Sequence, residues 1–542
     1  MIEAPQTWNM SDPLQRRRAV LTTLMPGFLG HSLPDGYRFL YEQGLGGFCI
    51  FGHNVESAEQ LRALNDQIRA ANPRAIISMD EEGGDVTRLH LTEGSPFPGN
   101  AVLGRIDDVT LTEQVGGMVG TELREVGVGL DLAPDVDINS NSDNPVIGVR
   151  SFGSEPDRVS RHTVAWLTGL RAAGVAACVK HFPGHGDTDL DSHHALPTVD
   201  RSLTELRSRE LVPFAAAIGA GVESVMTSHI LLPQLDSTAP ATFSSRILQG
   251  VLRGDEGFAG LIVTDALDMA GASAETGIPE AAVRSLIAGC DLLCLGSVIS
   301  TELICDVVAA ILNAMEEGRL AVSRVAHAAT RVQSLAATLQ ARWSNRPRSI
   351  TLGGPERVRL LDRVQGSFDV KDVVDRYPGR CASPKALRPA IVRLTTAANI
   401  AVGQVPWGPF AYGFARVQDT LLDQPTCDVW ERLPQITLDA SEPARTGAAL
   451  NRISTELAPE QPVIVIGQAV HRSACSRTIV DALRERRPTI TVDMGWPDDA
   501  RTYADIATFG ASWLVGQALI RLLAAVVTGN ADTTIRTHGQ RQ

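Results

Sequence analysis

Lysine is almost missing from this chain. Among 49 basic residues only Lys180, Lys371 and Lys385 are lysines, and 62 acidic side chains outweigh the basic ones to leave a formal net charge of −13. A field of that sign repels phosphate backbones, so no nucleic-acid partner is expected. Long apolar runs are missing as well. The richest late stretch, Ser512 to Val527, is interrupted by Gln517 and Arg521 at helical spacing and is too short and too polar to span a bilayer, so no membrane partner is expected either. Near the start, Arg16-Arg17-Arg18 precedes Ala19 to Leu29 in the manner of a leader. Thr22, Thr23 and Pro26 break that stretch and no small-residue cleavage site follows, so it reads as a first strand, Val20 to Leu24. Internal repeats and low-complexity tracts are absent, and long linkers and collagen-like repeats are excluded. The 8 cysteines are scattered, several within apolar runs such as Ala176 to Val179. They read as small buried hydrophobes kept reduced, and a cytoplasmic location is expected.

What remains is a globular composition, 44% hydrophobic and 20% charged with a mean hydropathy of +0.01. At about 150 residues per domain, 542 residues exceed one ordinary core. Short β-rich apolar runs alternate with amphipathic segments, the pattern of parallel strands joined by crossover helices. After Val20 to Leu24 the runs are Gly47 to Phe51, Ala75 to Met79, Val128 to Leu132, Ala176 to Lys180, Ser224 to Ser228, Gly260 to Thr264 and Asp291 to Leu295. Eight such units predict an α/β fold, a (β/α)8 TIM barrel over 1–343 with its active site at the carboxyl ends of the strands. Arg, Pro and Gly concentrate in a linker at 344–354. Beyond it, Ile391 to Leu394, Val463 to Gly467 and Thr489 to Val492 predict a C-terminal α/β sandwich domain over 355–542.

The densest chemistry runs from Lys180-His181 through His185, Asp187, Asp189 and Asp191 to His193-His194, out of the fifth strand into a glycine-containing loop. Three readings stand side by side. Asp, His and Gly cap turns and satisfy backbone donors. Imidazoles and carboxylates also ligate metals, although here all of them crowd one loop and the first strand offers no histidine, so no metal is expected. The third reading is an acid/base loop in which Asp191 orients His193 and stabilises its imidazolium.

Four segments carry a resemblance: Asp80-Glu-Glu-Gly-Gly-Asp-Val-Thr-Arg88, Asn144-Pro-Val-Ile-Gly-Val-Arg150-Ser-Phe-Gly153, the Lys180 to His194 loop, and Val263-Thr-Asp265-Ala-Leu-Asp-Met269. Together they resemble family-three glycoside hydrolases, and within them the β-N-acetylglucosaminidase (beta-N-acetylhexosaminidase) branch that uses a histidine in place of a carboxylate as acid/base. The resemblance covers Ala19 to Ala341, and the remainder is more weakly similar to the additional α/β domain of longer members. Asp85 stands where the family commonly has Arg, and Ser140 and Ser142 replace residues that are often Pro or Asn.

The resemblance implies that Asp265 is the catalytic nucleophile, that His193 is the acid/base and Asp191 its partner, and that Asp80, Arg88, Arg150, Lys180 and His181 bind the sugar. The residues fit those parts. Asp265 follows an apolar run at the end where a barrel presents its chemistry, and a retaining glycosidase needs such a carboxylate under the anomeric carbon. Asp268 is its rival, or the N-cap of the next helix. His229 reads as a satisfied core histidine, and Asp135 and Asp137 as turn formers or sugar contacts. The reading is a retaining exo-β-N-acetylglucosaminidase with no cofactor, acting on small N-acetylglucosaminides and, as the resemblance implies, on cell-wall (muropeptide) fragments of peptidoglycan. A neutral His193 would not repel phosphate, so phosphate is a second acceptor and a phosphorylase of the same sugars is the close alternative. A non-catalytic sugar-binding barrel and a metal-dependent hydrolase are the alternatives of other classes.

Overall fold

The computed structural model describes residues 8–190, 196–274, 276–345, 349–371, 388–396, 399, 401–411 and 420–528. They form two compact units, one of residues 1–82, 108–147 and 151–351, the other of 83–107, 148–150 and 352–542.

The first unit is a (β/α)8 barrel. Its strands are β1 (Leu24–Pro26), β2 (Gly47–Ile50), β3 (Ile76–Met79), β4 (Leu130–Asp131), β5 (Ala176–Phe182), β6 (Ser224–Thr227), β7 (Leu261–Val263) and β8 (Leu293–Gly296). Strands β2 to β7 hydrogen-bond in chain order, β1 pairs with β8, and a bridge from Val263 to Leu292 joins β7 to β8, all parallel. Every strand residue is buried, as expected of parallel strands covered on both faces.

The first strand departs from expectation. Pro13–Thr22 is a helix, and β1 begins only at Leu24. Asp12 caps that helix by accepting the Leu14 N–H at 2.9 Å, and Pro13 pre-sets its first turn. The apolar run Ala19 to Thr22 is the buried end of the helix, and apolarity without period-two alternation does not distinguish a helix end from a strand.

Elsewhere the helices follow their patterns. In Ala58–Ala71 the buried residues Leu61, Leu64 and Ile68 recur on one face behind a Ser57 cap. Helices Val109–Glu125 and Pro156–Ala172 approach closely because a Cβ at Gly169 would strike the Glu113 carbonyl. The barrel core joins Met25, Cys49, Ile76, Leu130, Cys178, Met226, Leu261 and Cys294 to Val332, Leu335 and Leu339 of helix Val322–Ser344. Truncating any one of its leucines to Ala costs about 2–5 kcal/mol.

The second unit holds a six-stranded sheet: β9 (Asp369–Val370), β10 (Ala390–Thr395), β11 (Gln435–Asp439), β12 (Val463–Gly467), β13 (Thr489–Asp493) and β14 (Ile506–Ala507). Their order is β11-β10-β12-β13-β14-β9, parallel except for β9. The central β12, Val-Ile-Val-Ile-Gly, is buried throughout. Edge strand β11 alternates exposed and buried residues and carries Gln435 and Thr437, which hid it from the sequence reading. The segment 83–107 is held within this unit. Arg105 donates to the Ser367 carbonyl at 2.7 Å and stacks on Phe509 at 3.9 Å, and Ala101 joins Ala504, Ala507 and Phe509 in a small core. No helix of the described residues is long and apolar enough to cross a membrane.

Candidate active site

Strand β5 is the longest of the barrel and carries Lys180 and His181 at its carboxyl end. Lys180 is clamped from the end of β3: its Nζ lies 2.6 Å from Asp80 Oδ1 and 2.8 Å from Glu82 Oε1. The side chains of Lys180, Glu82 and Asp80 are 2%, 3% and 19% exposed, so Asp80 is the member of the trio that opens to solvent.

His181 is fixed by the segment after β4. Its Nδ1 lies 2.7 Å from Asp137 Oδ2, which assigns the proton to Nδ1 and leaves Nε2 as the ring's other polar atom. Asp137 also accepts the backbone N–H of His181 at 3.2 Å and that of His185 at 2.6 Å, while its own N–H donates to Asp135 at 2.9 Å. Asn144 ties the next turn to the same loop by donating to the His185 carbonyl at 2.9 Å and accepting the Val146 and Ile147 N–H groups. Asp135, Asp137 and His181 bring three ligand atoms within 4.8 Å of one another. Two carboxylates and an imidazole could hold a divalent cation, but here Asp137 spends its oxygens on three N–H donors of the chain, the pattern of a hydrogen-bonded dyad.

Below Lys180, Asp131 ends β4 fully buried and accepts the Glu81 N–H at 3.2 Å. Burial pushes its carboxyl well above the usual range. Glu81 and Asp80 add to the rise, against the Glu81 N–H and the Lys180 charge.

Asp265 leaves β7 at its carboxyl end, half-buried, with Oδ1 accepting the Ala266 N–H at 2.8 Å. Asp268 is exposed and accepts the Ser297 N–H at 3.0 Å. His229 is buried, its ring nitrogens 3.0 Å from Thr242 Oγ1 and 3.1 Å from the Ala266 carbonyl, as a core histidine would be.

Of the residues expected from sequence, Asp80 and Lys180 touch, and His181 and Asp265 stand at the carboxyl ends of β5 and β7, with β6 between them. Asp191 and His193 lie outside the described residues. Arg88 and Arg150 belong to the second unit, where Arg88 donates to the Ala401 carbonyl at 2.9 Å and the Arg150 carbonyl accepts from Asn100 at 2.6 Å. Asp85 also belongs there, accepting the Ala511 N–H at 2.8 Å. Glu82 and Asp131 were missed. A second acid two residues beyond Asp80, as a strand ends, was the available signal for Glu82.

Residues 35–335 match the Glycosyl hydrolase family 3 N terminal domain. The chain is 41% identical over 263 residues to a beta-hexosaminidase of Neisseria meningitidis, covering 47% of this chain and 72% of that protein. It is 33% identical over 372 residues to beta-hexosaminidase A of Pseudoalteromonas piscicida, covering 63% of this chain and 60% of that protein's length. Among solved structures, a glycoside hydrolase family 3 beta-N-acetylglucosaminidase from Paenibacillus sp. str. FPU-7 superposes with a TM-score of 0.77 at 30% identity, over 95% of this chain and 96% of that one.

Proposed function

The chain belongs to glycosyl hydrolase family 3, and on that premise we propose that it is a retaining exo-β-N-acetylglucosaminidase whose chemistry resides in the barrel of the first unit. The observation that carries the reading is the half-buried Asp265 carboxylate at the end of β7, in a barrel whose β5 presents the clamped Lys180 and the Asp137-bound His181. Its substrates are terminal N-acetyl-β-D-hexosaminides, cell-wall fragments of peptidoglycan among them.

In this proposal Asp80, Lys180 and His181 bind the sugar hydroxyls by charge-assisted hydrogen bonds. Asp265 attacks the anomeric carbon while His193 gives its proton to the departing glycosidic oxygen, forming a covalent glycosyl-enzyme. Neutral His193 then takes a proton from water as the water oxygen displaces Asp265, and the β configuration is restored. Asp191 holds the imidazole tautomer and stabilises its charged form.

The test compares a chromogenic N-acetyl-β-D-glucosaminide with the matching β-glucoside. The reading expects turnover of the first at least about a hundredfold faster, retained when a chelator is added. Preference for the glucoside, or loss of activity to the chelator, refutes it. Phosphate at constant ionic strength adds a product arm: N-acetylglucosamine 1-phosphate as the dominant product would make the enzyme a phosphorylase with the same catalytic groups.

A further inference from the structure

We propose that Glu82 is a positioning residue for sugar binding, the permanent counter-charge that holds the Lys180 ammonium in place when Asp80 turns to the substrate. The inference rests on the reading that Asp80 and Lys180 contact the sugar.

Lys180 sits between two carboxylates that differ in what they can reach. Asp80 Oδ1 is 2.6 Å away on a side chain 19% exposed, and Glu82 Oε1 is 2.8 Å away on one 3% exposed. Of the two carboxylates, Asp80 is the one with exposed surface to offer a hydroxyl. A hydroxyl that donates to Asp80 shares the carboxylate's negative charge with Lys180, which contacts it through Oδ1. Without a second carboxylate, binding would leave a nearly fully buried ammonium with its charge poorly compensated, which is costly in a medium of low polarity. Asp131, the other acid whose field reaches Lys180, offers little compensation because burial favours its neutral form. Glu82 supplies the charge that stays behind. It also fixes the site's geometry: an ammonium on a flexible four-carbon stem is a poorly oriented donor unless it is held, and two carboxylates at its sides leave its remaining N–H a restricted set of directions.

A residue that served only the fold would act differently from one that acts through Lys180. The experiment measures steady-state kinetics on the chromogenic N-acetyl-β-D-glucosaminide for the wild type, Glu82→Gln, Glu82→Asp, Lys180→Ala and the double variant Lys180→Ala/Glu82→Gln. Glu82→Gln is expected to raise KM about tenfold or more with kcat within about threefold, and Glu82→Asp to give a KM between that of Gln and the wild type. In the double variant, removing Glu82 is expected to cost nothing further, because the charge it balanced is already gone. An unchanged KM in folded Glu82→Gln, or losses that multiply in the double variant, overturns the proposal. Should Glu82→Gln yield no folded protein, Glu82→Asp decides alone: a raised KM at constant kcat supports positioning, and a lowered kcat at constant KM or wild-type kinetics overturns it. Absence of wild-type turnover takes down the glycosidase reading and this proposal together, whereas wild-type turnover with an unmoved KM takes down this proposal alone.

Discussion

Asp268 accepts the Ser297 N–H at 3.0 Å and lies against Gly296, where φ is +129° and any Cβ would strike the Asp268 carboxyl group. The carboxylate that rivals Asp265 in sequence thus fastens the loop after β8. Asp265→Asn is expected to lower kcat at least about a thousandfold with an unchanged melting temperature, because an amide cannot form the glycosyl ester. Asp268→Ala is expected to keep turnover within about tenfold and to lose about 0.5–1.5 kcal/mol of stability with its exposed hydrogen bond to Ser297. Activity assays beside thermal denaturation separate the two, and the reverse pattern would exchange their roles.

The Asp137–His181 contact makes a second separation. Asp137→Asn leaves the volume intact but places an amide where three N–H donors need an acceptor. A loss of about 3 kcal/mol is expected, together with weaker N-acetylglucosamine binding by the surviving folded protein. Chemical denaturation and calorimetric titration measure these effects, and wild-type values in both would mean that His181 is held by other contacts.

Asp131 gives the pH dependence its sign. Its folded-state pKa is raised, so the folded protein binds a proton that the unfolded chain, with an ordinary value of about 4, has already released. The stabilisation from this group is complete below pH 4 and is lost as pH rises towards the folded value. Asp131→Asn lacks that term. As pH rises above about 4 the wild type is expected to lose stability relative to Asp131→Asn, by up to about 1.4 kcal/mol per pH unit until the folded value is passed. Parallel denaturation curves for the two proteins across that range would show that Asp131 is ionised in the fold.

Asp85, the departure from the family pattern, accepts the Ala511 N–H at 2.8 Å and the Gln468 side-chain amide at 3.4 Å. Its carboxylate serves the second unit as a backbone acceptor. Asp85→Arg is therefore expected to destabilise that unit by about 1–3 kcal/mol. A chain ended at residue 351 also loses Phe509, Ala504 and Ala507, the partners of Ala101 and Arg105. It is expected to expose apolar surface, seen as binding of a hydrophobic dye, and a truncated protein that binds no dye and melts as the full chain does would contradict this.

These residues also show what the sequence could reveal. Seven barrel strands were legible because buried parallel strands are continuous apolar runs, and the place of Asp265 just beyond β7 was legible with them. The first was not, since Ala19 to Thr22 is equally apolar as the inner end of a capped helix. Segments 83–107 and 148–150 joining the second unit were hidden for another reason. Their partners, Ser367, Ala401 and Phe509, lie hundreds of residues away, and neither composition nor period encodes such a contact. Glu82 was not legible because an acid within a run such as Asp80-Glu81-Glu82 usually faces water, and only the clamp on Lys180 distinguishes it.

In the proposed reaction Asp265 forms the covalent bond to the sugar. Mass spectrometry of the protein after reaction with a fluorinated N-acetylglucosaminyl donor that slows release of the glycosyl-enzyme locates that bond. One added sugar per chain is expected, on the peptide containing Asp265 and on that residue, and none on Asp265→Asn. A sugar attached to Asp268, or an unlabelled protein that still turns over the donor, would contradict it.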